Sequence, residues 1–331
     1  MVSKKTKERR KQYAKEISKH TKKNWILYYL DETYCHYAHG ASPENYFVLR
    51  FFSLNEEERK EYLTSKRSRE VDAFLNRNSS KKDRNMIGNK RVFNQQFSEW
   101  NHRKYLYAPD CTQKEILNFL EEQGVVFVKP TGLTQGRGMQ KVYCSQITSP
   151  DDFAEESRKK NYLLEEIIRQ HPVIEQIHKE SVNTVRILAA RANPESPIVL
   201  IGGALRCGCG SAVVDNFHQG GIAYPIDLKQ GVICGPGRDN TTLKEYSVHP
   251  GSQIMMPGLA VPFWEQALEA VRYGMEKVPS LGYVGWDLAV TETGIEVIEG
   301  NYNWPGGNII QVDGKGKYPL AKSVGAGRET V

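Results

Sequence analysis

Residues 282–301 read Gly282-Tyr-Val-Gly-Trp-Asp287-Leu-Ala-Val-Thr-Glu-Thr-Gly294-Ile-Glu-Val-Ile-Glu299-Gly-Asn301. Two short apolar runs flank a Gly-containing turn, the pattern of a β-hairpin. The first run has no clean alternation, since Leu288, Ala289 and Val290 are all apolar. In the second, Ile295, Val297, Glu299 and Asn301 are spaced by two, which places them on one strand face. Asp287 lies on the preceding strand, within reach of the same spot. Two carboxylates and an amide oxygen form a hard, all-oxygen set of the kind that holds Mg²⁺ against a phosphate. An exposed hairpin with acidic residues on its wet face is the alternative. The two readings differ in register. With a turn over 291–294, Val290 faces Ile295 and Asp287 faces Ile298, so Asp287 points away from Glu299. A metal site therefore requires a turn one residue longer, or a one-residue bulge, and Gly294 suits either.

Working outward, 263–277 is an amphipathic helix behind Pro262, with Phe263, Ala267, Ala270, Val271 and Met275 to pack on the sheet that carries the hairpin. Upstream, Asn216-Phe-His218-Gln-Gly220-Gly221 brings an amide, an imidazole and two glycines into six residues, a candidate anion or substrate loop. Strands at 181–190 and 198–206 carry Arg186 and Arg206. A pair of arginines on paired strands suits phosphate or carboxylate recognition, with surface salt bridges as the alternative. Residues 162–168 form a strand containing Glu165 and Glu166.

Before it, Val125-Val-Phe-Val-Lys129-Pro130 is a buried strand closed by one lysine. The following Thr131-Gly-Leu-Thr-Gln-Gly136-Arg137-Gly138 is a hairpin tip with three glycines. Glycines let backbone N–H groups converge on an anion, and Lys129 adds charge beneath them; a flexible tip is the alternative. The tip lacks the closing Gly-Lys-Ser/Thr of a P-loop, and no helix follows it as in a dinucleotide fingerprint. Helices are expected at 3–22, from about 53 to 75, at 91–97 behind Lys90, and at 112–123 before Gly124. His36 and His39 have no third metal ligand nearby.

The chain has 331 residues, 39% hydrophobic and 25% charged, the balance of a globular protein with two or three lobes. No apolar run approaches the roughly 20 residues that span a bilayer, and no secretory signal is visible. The net charge of +6 is uneven: residues 1–24 hold ten Lys/Arg against two Glu, +8, so the remainder sums to −2. A near-neutral body argues against nucleic-acid binding by residues 25–331, and no specific nucleic-acid partner is expected. The basic leader reads either as a solvated helix or as a contact for an acidic surface, RNA or an anionic membrane. Six cysteines without a CxxC pair fit free thiols in a cytoplasmic protein.

The ordered series Lys90, Lys129, the 131–138 tip, Glu165-Glu166, the 216–221 loop and Asp287…Glu299-Gly-Asn301 resembles the ATP-grasp superfamily over residues 86–312. Gln170-His171-Pro172, Ser181-Val-Asn-Thr-Val-Arg186, Val214-Asp-Asn216 and Gly285-Trp-Asp287 resemble a narrower group, the sugar-transfer-associated ATP-grasp proteins related to α-L-glutamate ligases. The resemblance implies an α+β, ATP-grasp fold of two β-rich lobes clasping ATP. A mostly helical region (1–85) would precede a small lobe (86–165) and a large lobe (166–331). It implies Lys90 and Lys129 on nucleotide phosphates, Gly136, Arg137 and Gly138 over them, and Glu165, Glu166 and Ile168 holding adenine through the backbone. Asp287, Glu299 and Asn301 would hold one or two Mg²⁺, for which Mn²⁺ substitutes. Arg186, Arg206 and Asn216 would face the reacting groups, and His218, Gly220 and Gly221 the substrate. The implied reaction is ADP-forming carboxylate–amine ligation through an acyl phosphate, joining an amino acid to a sugar-acid, polysaccharide precursor or peptide; phosphoryl transfer to a hydroxyl is the alternative. This sequence departs from the pattern in its Thr-Gly-Leu-Thr-Gln-Gly-Arg-Gly tip, in its N-terminal 85 residues, which look helical rather than like the usual open α/β pre-domain, and in lacking a clear ribose-binding carboxylate, for which Glu175 fits by position alone.

Overall fold

The computed structural model describes residues 3–131, 138–210, 217, 220–303 and 305–325. Two antiparallel sheets carry it. The smaller is ordered β1-β4-β2-β3, from β1 (Tyr105–Tyr107), β2 (Val125–Pro130), β3 (Gln140–Tyr143) and β4 (Tyr162–Glu166). The larger is ordered β10-β9-β5-β6-β7-β8. Its members are β5 (Thr184–Ala190), β6 (Val199–Cys207), β7 (Ile222–Asp227), β8 (Val232–Ile233), β9 (Tyr283–Val290) and β10 (Ile295–Asn301).

Seven helices precede the small sheet: α1 (Lys4–Thr21), α2 (Trp25–His39), α3 (Pro43–Val48), α4 (Glu56–Lys60), α5 (Ser65–Leu75), α6 (Lys81–Gly88) and α7 (Lys90–Gln96). Side-chain caps explain most of the starts: Ser3, Asn24, Ser42, Asn55, Thr64, Ser80 and Asn89 each accept a first-turn N–H. The single helix expected over 53–75 is two. Tyr62 and Leu63 turn into the core between α4 and α5, where the Leu63 N–H donates to Gln311 Oε1 at 2.8 Å. A buried pair tied to another element outweighs local helix propensity there.

Later helices are α8 (Gln113–Gln123), α9 (Pro150–Lys159), α10 (Pro172–Glu175), α11 (Trp264–Lys277) and α12 (Tyr318–Gly325). α8 carries a reciprocal Thr112/Glu115 capping box and stops at Gly124, φ 65°. With α9 it covers one face of the small sheet, where Ile116, Phe119, Leu120 and Ala154 meet Val126, Val128 and Leu164. The opposite face carries Phe127, Lys129 and Glu165, since Phe127 pairs with Glu165 and Lys129 with Leu163.

The large sheet is buried on both faces. On one, α11 lays Ala267, Ala270, Val271 and Met275 over Val185, Ile187, Trp286, Leu288 and Val297, joined by Met86, Ile87, Phe93 and Phe97 of α6, α7 and the following turn. On the other, the N-terminal helices and residues 309–324 cover Leu188, Ala190, Ile201 and Tyr283. The segment before residue 86 therefore shares its core with the large sheet. Its helices cover one end of that sheet face, and the other end carries Thr184, Arg186, Asp287 and Arg206.

Candidate active site

The hairpin of β9 and β10 has the odd register that a metal site demands, but the irregularity lies in the strand and not in the turn. Val290 pairs with Ile295 and Leu288 with Val297, as a four-residue turn dictates. The register then shifts between Val297 and Glu299, leaving Ile298 as the extra residue, so that Glu299 pairs with Asp287 and Asn301 with Gly285. A one-residue bulge reverses the face of everything beyond it. The sequence expectation that Glu299 and Asn301 share a face with Ile295 and Val297 is thus corrected: Ile295 and Val297 enter the core under α11, while Glu299 stands on the face of Asp287.

Asp287 is 2% exposed and is held by two arginines. Arg186, its neighbour on β5, grips it with a two-pronged guanidinium fork, Nη2 to Oδ2 at 2.7 Å. Arg206 Nη2 lies 3.1 Å from Oδ2 and also donates to Thr184 Oγ1. The two arginines are therefore not surface salt bridges; they converge on one buried carboxylate. Burial pushes the Asp287 carboxyl up, and the guanidiniums of Arg186 and Arg206 outweigh it and hold the group at about 2.

Glu299 behaves in the opposite way. Burial, then the facing Asp287 carboxylate, with which it hydrogen-bonds, push it above its ordinary value. Asn301 Nδ2 donates to Glu299 Oε1 at 3.1 Å. Two carboxyls this close need a proton or a cation between them. With the neighbouring amide, that oxygen-rich donor set fits a divalent cation such as Mg²⁺. Among the described residues no group of three or more His, Cys, Asp or Glu gathers as a metal cluster, so a cation here would have two carboxylates and draw its other ligands from elsewhere.

Across from this face stands the small lobe. Lys129 Nζ lies 2.5 Å from Glu165 Oε2. Glu165 also accepts from Asn94 Nδ2 at 2.8 Å and lies 3.3 Å from Arg103 Nε. Arg103 Nη1 reaches on to Glu296 of β10 at 2.9 Å. Burial opposes ionisation of Glu165, and Arg103 and Lys129 outweigh it, holding the carboxyl at about 2. Lys90, opening α7, donates to the Pro130 carbonyl at 3.1 Å. Burial and then the Lys129 charge lower its pKa, while Glu299 and Glu165 raise it. Lys129, Glu165 and Glu299 thus all lie within electrostatic reach of Lys90.

The Glu165 side chain is a buried ionic hub, a role that the sequence expectation of a backbone contact did not include. Glu166 exchanges two bonds with Lys104, its N–H to the Lys104 carbonyl and its carboxylate accepting the Lys104 N–H at 3.0 Å. Ile168 lies in the link between the sheets: β4 ends at Glu166, and the His171 N–H already bonds Val290 of β9. Gly138 and Gly220 take positive φ, 70° and 93°, and Gly221 is buried. Gly136, Arg137, Asn216 and His218 lie outside the described residues. Glu175, at the end of α10, is exposed. Arg103 and Glu296 were missed by sequence reasoning. Arg103 sits in the polar run Asn101-His-Arg103-Lys, which has no periodicity to mark a buried residue. A cavity of about 580 Å³ lined by Arg50, Phe52, Tyr62, Arg238 and Leu243 opens elsewhere and holds none of these groups.

The sugar-transfer associated ATP-grasp family model matches residues 112–326. The chain belongs to that family. Its two-sheet architecture with a helical N-terminal region is the ATP-grasp fold. No curated protein matches the chain. It is similar to several solved structures. The ATP-grasp ligase PsnB complexed with minimal precursor is 13% identical, with a TM-score of 0.43, covering 75% of this chain and 63% of PsnB. Carboxyaminoimidazole ribonucleotide synthase from Aspergillus clavatus complexed with ATP is 14% identical, TM-score 0.41, covering 67% and 46%. D-alanyl-alanine synthetase A from Vibrio cholerae is 13% identical, TM-score 0.42, covering 76% and 63%. The chain spans less than two thirds of the length of each of these three proteins.

Proposed function

We propose that this ATP-grasp chain is an ADP-forming carboxylate–amine ligase. The observation that carries the reading is the bulge at Ile298, which sets Glu299 beside Asp287 on the sheet face that Arg186 and Arg206 share, with Lys90 in electrostatic reach of both Glu299 and Lys129. Asp287, Glu299 and Asn301 would hold Mg²⁺, with Mn²⁺ as a substitute. When bound, the cation supplies charge neutralisation for the β- and γ-phosphates of ATP. The chain's own residues do the rest. Lys129 and Lys90 hold phosphate oxygens, and Lys129 exchanges its Glu165 partner for them. Arg206 lies at the rim of the face, positioned by Thr184, and shares charge developing on the transferred phosphoryl group and the acyl oxygen. Arg186 keeps Asp287 ionised and aimed.

In this reading a substrate carboxylate oxygen attacks the γ-phosphorus and ADP leaves, giving an acyl phosphate. An amine then displaces inorganic phosphate, loses a proton and leaves an amide. Positioning and charge neutralisation suffice for both steps, with no protein nucleophile. The proposed substrates are an amino acid on one side and a sugar-acid, polysaccharide precursor or peptide on the other, and the proposed location is the cytoplasm. Among the described residues no helix is long and apolar enough to cross a membrane.

A coupled assay tests this against the hydroxyl-phosphorylating alternative. Panels of carboxylates and amines are incubated with ATP and Mg²⁺ and read by mass spectrometry. A ligase releases ADP and inorganic phosphate together, in step with an amide product and only when both acid and amine are present. A product that retains phosphate on a hydroxyl rejects the ligase reading.

A further inference from the structure

Nine large hydrophobic side chains are exposed among the described residues, and five of them, Ile26, Leu27, Leu30, Tyr34 and Tyr37, lie on α2. Their spacing puts them on one stripe of that helix. Leu27 and Leu30 are 58% and 59% exposed and Tyr37 71%, while the opposite stripe, Tyr28, Glu32, Cys35 and His39, is buried. An amphipathic helix ordinarily hides its apolar side; α2 buries one stripe and leaves a second open. The open stripe contains no carboxylate, since Asp31 is engaged by Arg59 and Tyr46 and Glu32 is buried against Arg10.

The neighbour of this stripe is α1, whose sequence carries most of the excess positive charge of the chain. Lys4, Lys7, Lys11, Lys15 and Lys22 recur at helical spacing along α1 and its C-cap, and all are exposed. Lys11 and Lys15 lean over the Trp25 ring at 5.5 and 5.9 Å, which sets the basic row beside the start of α2. Arg10 locks the pair together, meeting Glu32 and donating to Thr33 Oγ1 at 3.1 Å. The outer side of the α1–α2 hairpin is therefore an apolar, tyrosine-bearing stripe bordered by lysines; Glu8 is the one exposed acid of the two helices, and Glu56 of α4 meets the stripe at Tyr34, whose hydroxyl donates to it at 3.1 Å.

We infer that the α1–α2 hairpin docks the protein on an anionic lipid surface, lying in the plane of the bilayer interface. Charge complementarity selects this occupant. Lysines attract acidic headgroups, whereas the leucines and isoleucine gain by entering the acyl boundary and tyrosines favour the headgroup level. α2 has 15 residues, about 22 Å at 1.5 Å per residue, too short to cross but suited to lying flat. The open stripe lies opposite the stripe of α2 whose Tyr28 and Cys35 join the core shared with the large sheet, so docking would leave that packing undisturbed.

Vesicle co-sedimentation with the full chain tests the inference. Three to one phosphatidylcholine:phosphatidylglycerol vesicles at 0.1 M salt should bind the wild type, and pure phosphatidylcholine at least tenfold less. Leu27→Glu with Leu30→Glu should weaken binding at least tenfold, and so should Lys4→Glu with Lys7→Glu. Both sets lie at exposed positions, so circular dichroism and melting should match the wild type. Failure of the wild type to bind the acidic vesicles overturns the inference, as does equal binding to neutral ones. Light scattering supplies the remaining arm: concentration-dependent self-association that Leu27→Glu and Leu30→Glu abolish, without vesicle binding, would assign the stripe to a second copy of the chain.

Discussion

Glu299 and Asp287 are neighbours of like charge with opposite fates, and the difference makes a testable pair. Asp287 has two guanidiniums and stays ionised; Glu299 faces that negative charge and is raised. A carboxyl whose pKa rises on folding destabilises the fold while ionised, and the penalty fades as pH falls and the group takes up a proton. Glu299→Gln should therefore stabilise the ligand-free protein at pH 7, while cutting ATP-dependent ADP release at least a hundredfold because one carboxylate of the proposed metal set is gone. Urea denaturation and a coupled assay on the same preparation read both. Unaltered turnover would remove Glu299 from the site. Arg186 gives the converse case. Arg186→Met leaves Asp287 buried with Arg206 as its remaining guanidinium partner, and breaking a buried pair on one side costs about 3 kcal/mol. The melting temperature should fall by several degrees, and an unchanged value would mean that the fork does not support the sheet.

At the scale of elements, the hairpin shows what a sequence can and cannot disclose. Its strands, its turn and its need for one extra residue follow from composition and counting. The position of that residue does not, because Ile298 is as good a strand former as its neighbours and nothing local marks it as the bulge. The functional candidates on β2, β5 and β6 were legible because Lys129, Arg186 and Arg206 interrupt apolar runs. The break after α4 and the Arg103 bridge were not, because both are decided by partners far away in the chain, Gln311 and Glu296. Close approach of α11 to the sheet is another such long-range fact. A Cβ on Gly274 would sit 2.7 Å from the Trp286 ring, so the helix can come this near only because it has no side chain there. Gly274→Ala should gain about 1 kcal/mol of helix propensity and lose more to overpacking, for a net destabilisation of about 1–2 kcal/mol by chemical denaturation. A stabilised variant would show that α11 slides without cost.

For the molecule as a whole, the two lobes are joined by charge as well as by chain. Arg103 stands between Glu165 of the small sheet and Glu296 of the large one, and Lys129 completes the cluster at Glu165. The stability this supplies must depend on pH in a definite direction. Burial disfavours the ionised Glu165, but Arg103 and Lys129 outweigh it and lower its pKa from 4.5 to about 2. A carboxyl lowered on folding contributes its full share above the unfolded value, and that share is lost as pH falls through the folded one. Between pH 4.5 and 2 the protein should thus lose about 3 kcal/mol from Glu165 alone, since a tenfold change in proton affinity is worth about 1.4 kcal/mol. Asp287, lowered from 3.8 to about 2, adds to the loss over the same range. Glu165→Gln separates the two. At pH 7 the variant should be less stable than the wild type, because Arg103 keeps only Glu296 and Lys129 loses its carboxylate. Towards pH 3 the two proteins should converge, since the wild-type Glu165 begins to lose its ionised advantage. Urea midpoints measured at pH 7, 4.5 and 3 decide it: curves that stay parallel would mean that the cluster does not tie the lobes together, whereas converging curves assign the acid-sensitive joint to Arg103 and Glu165.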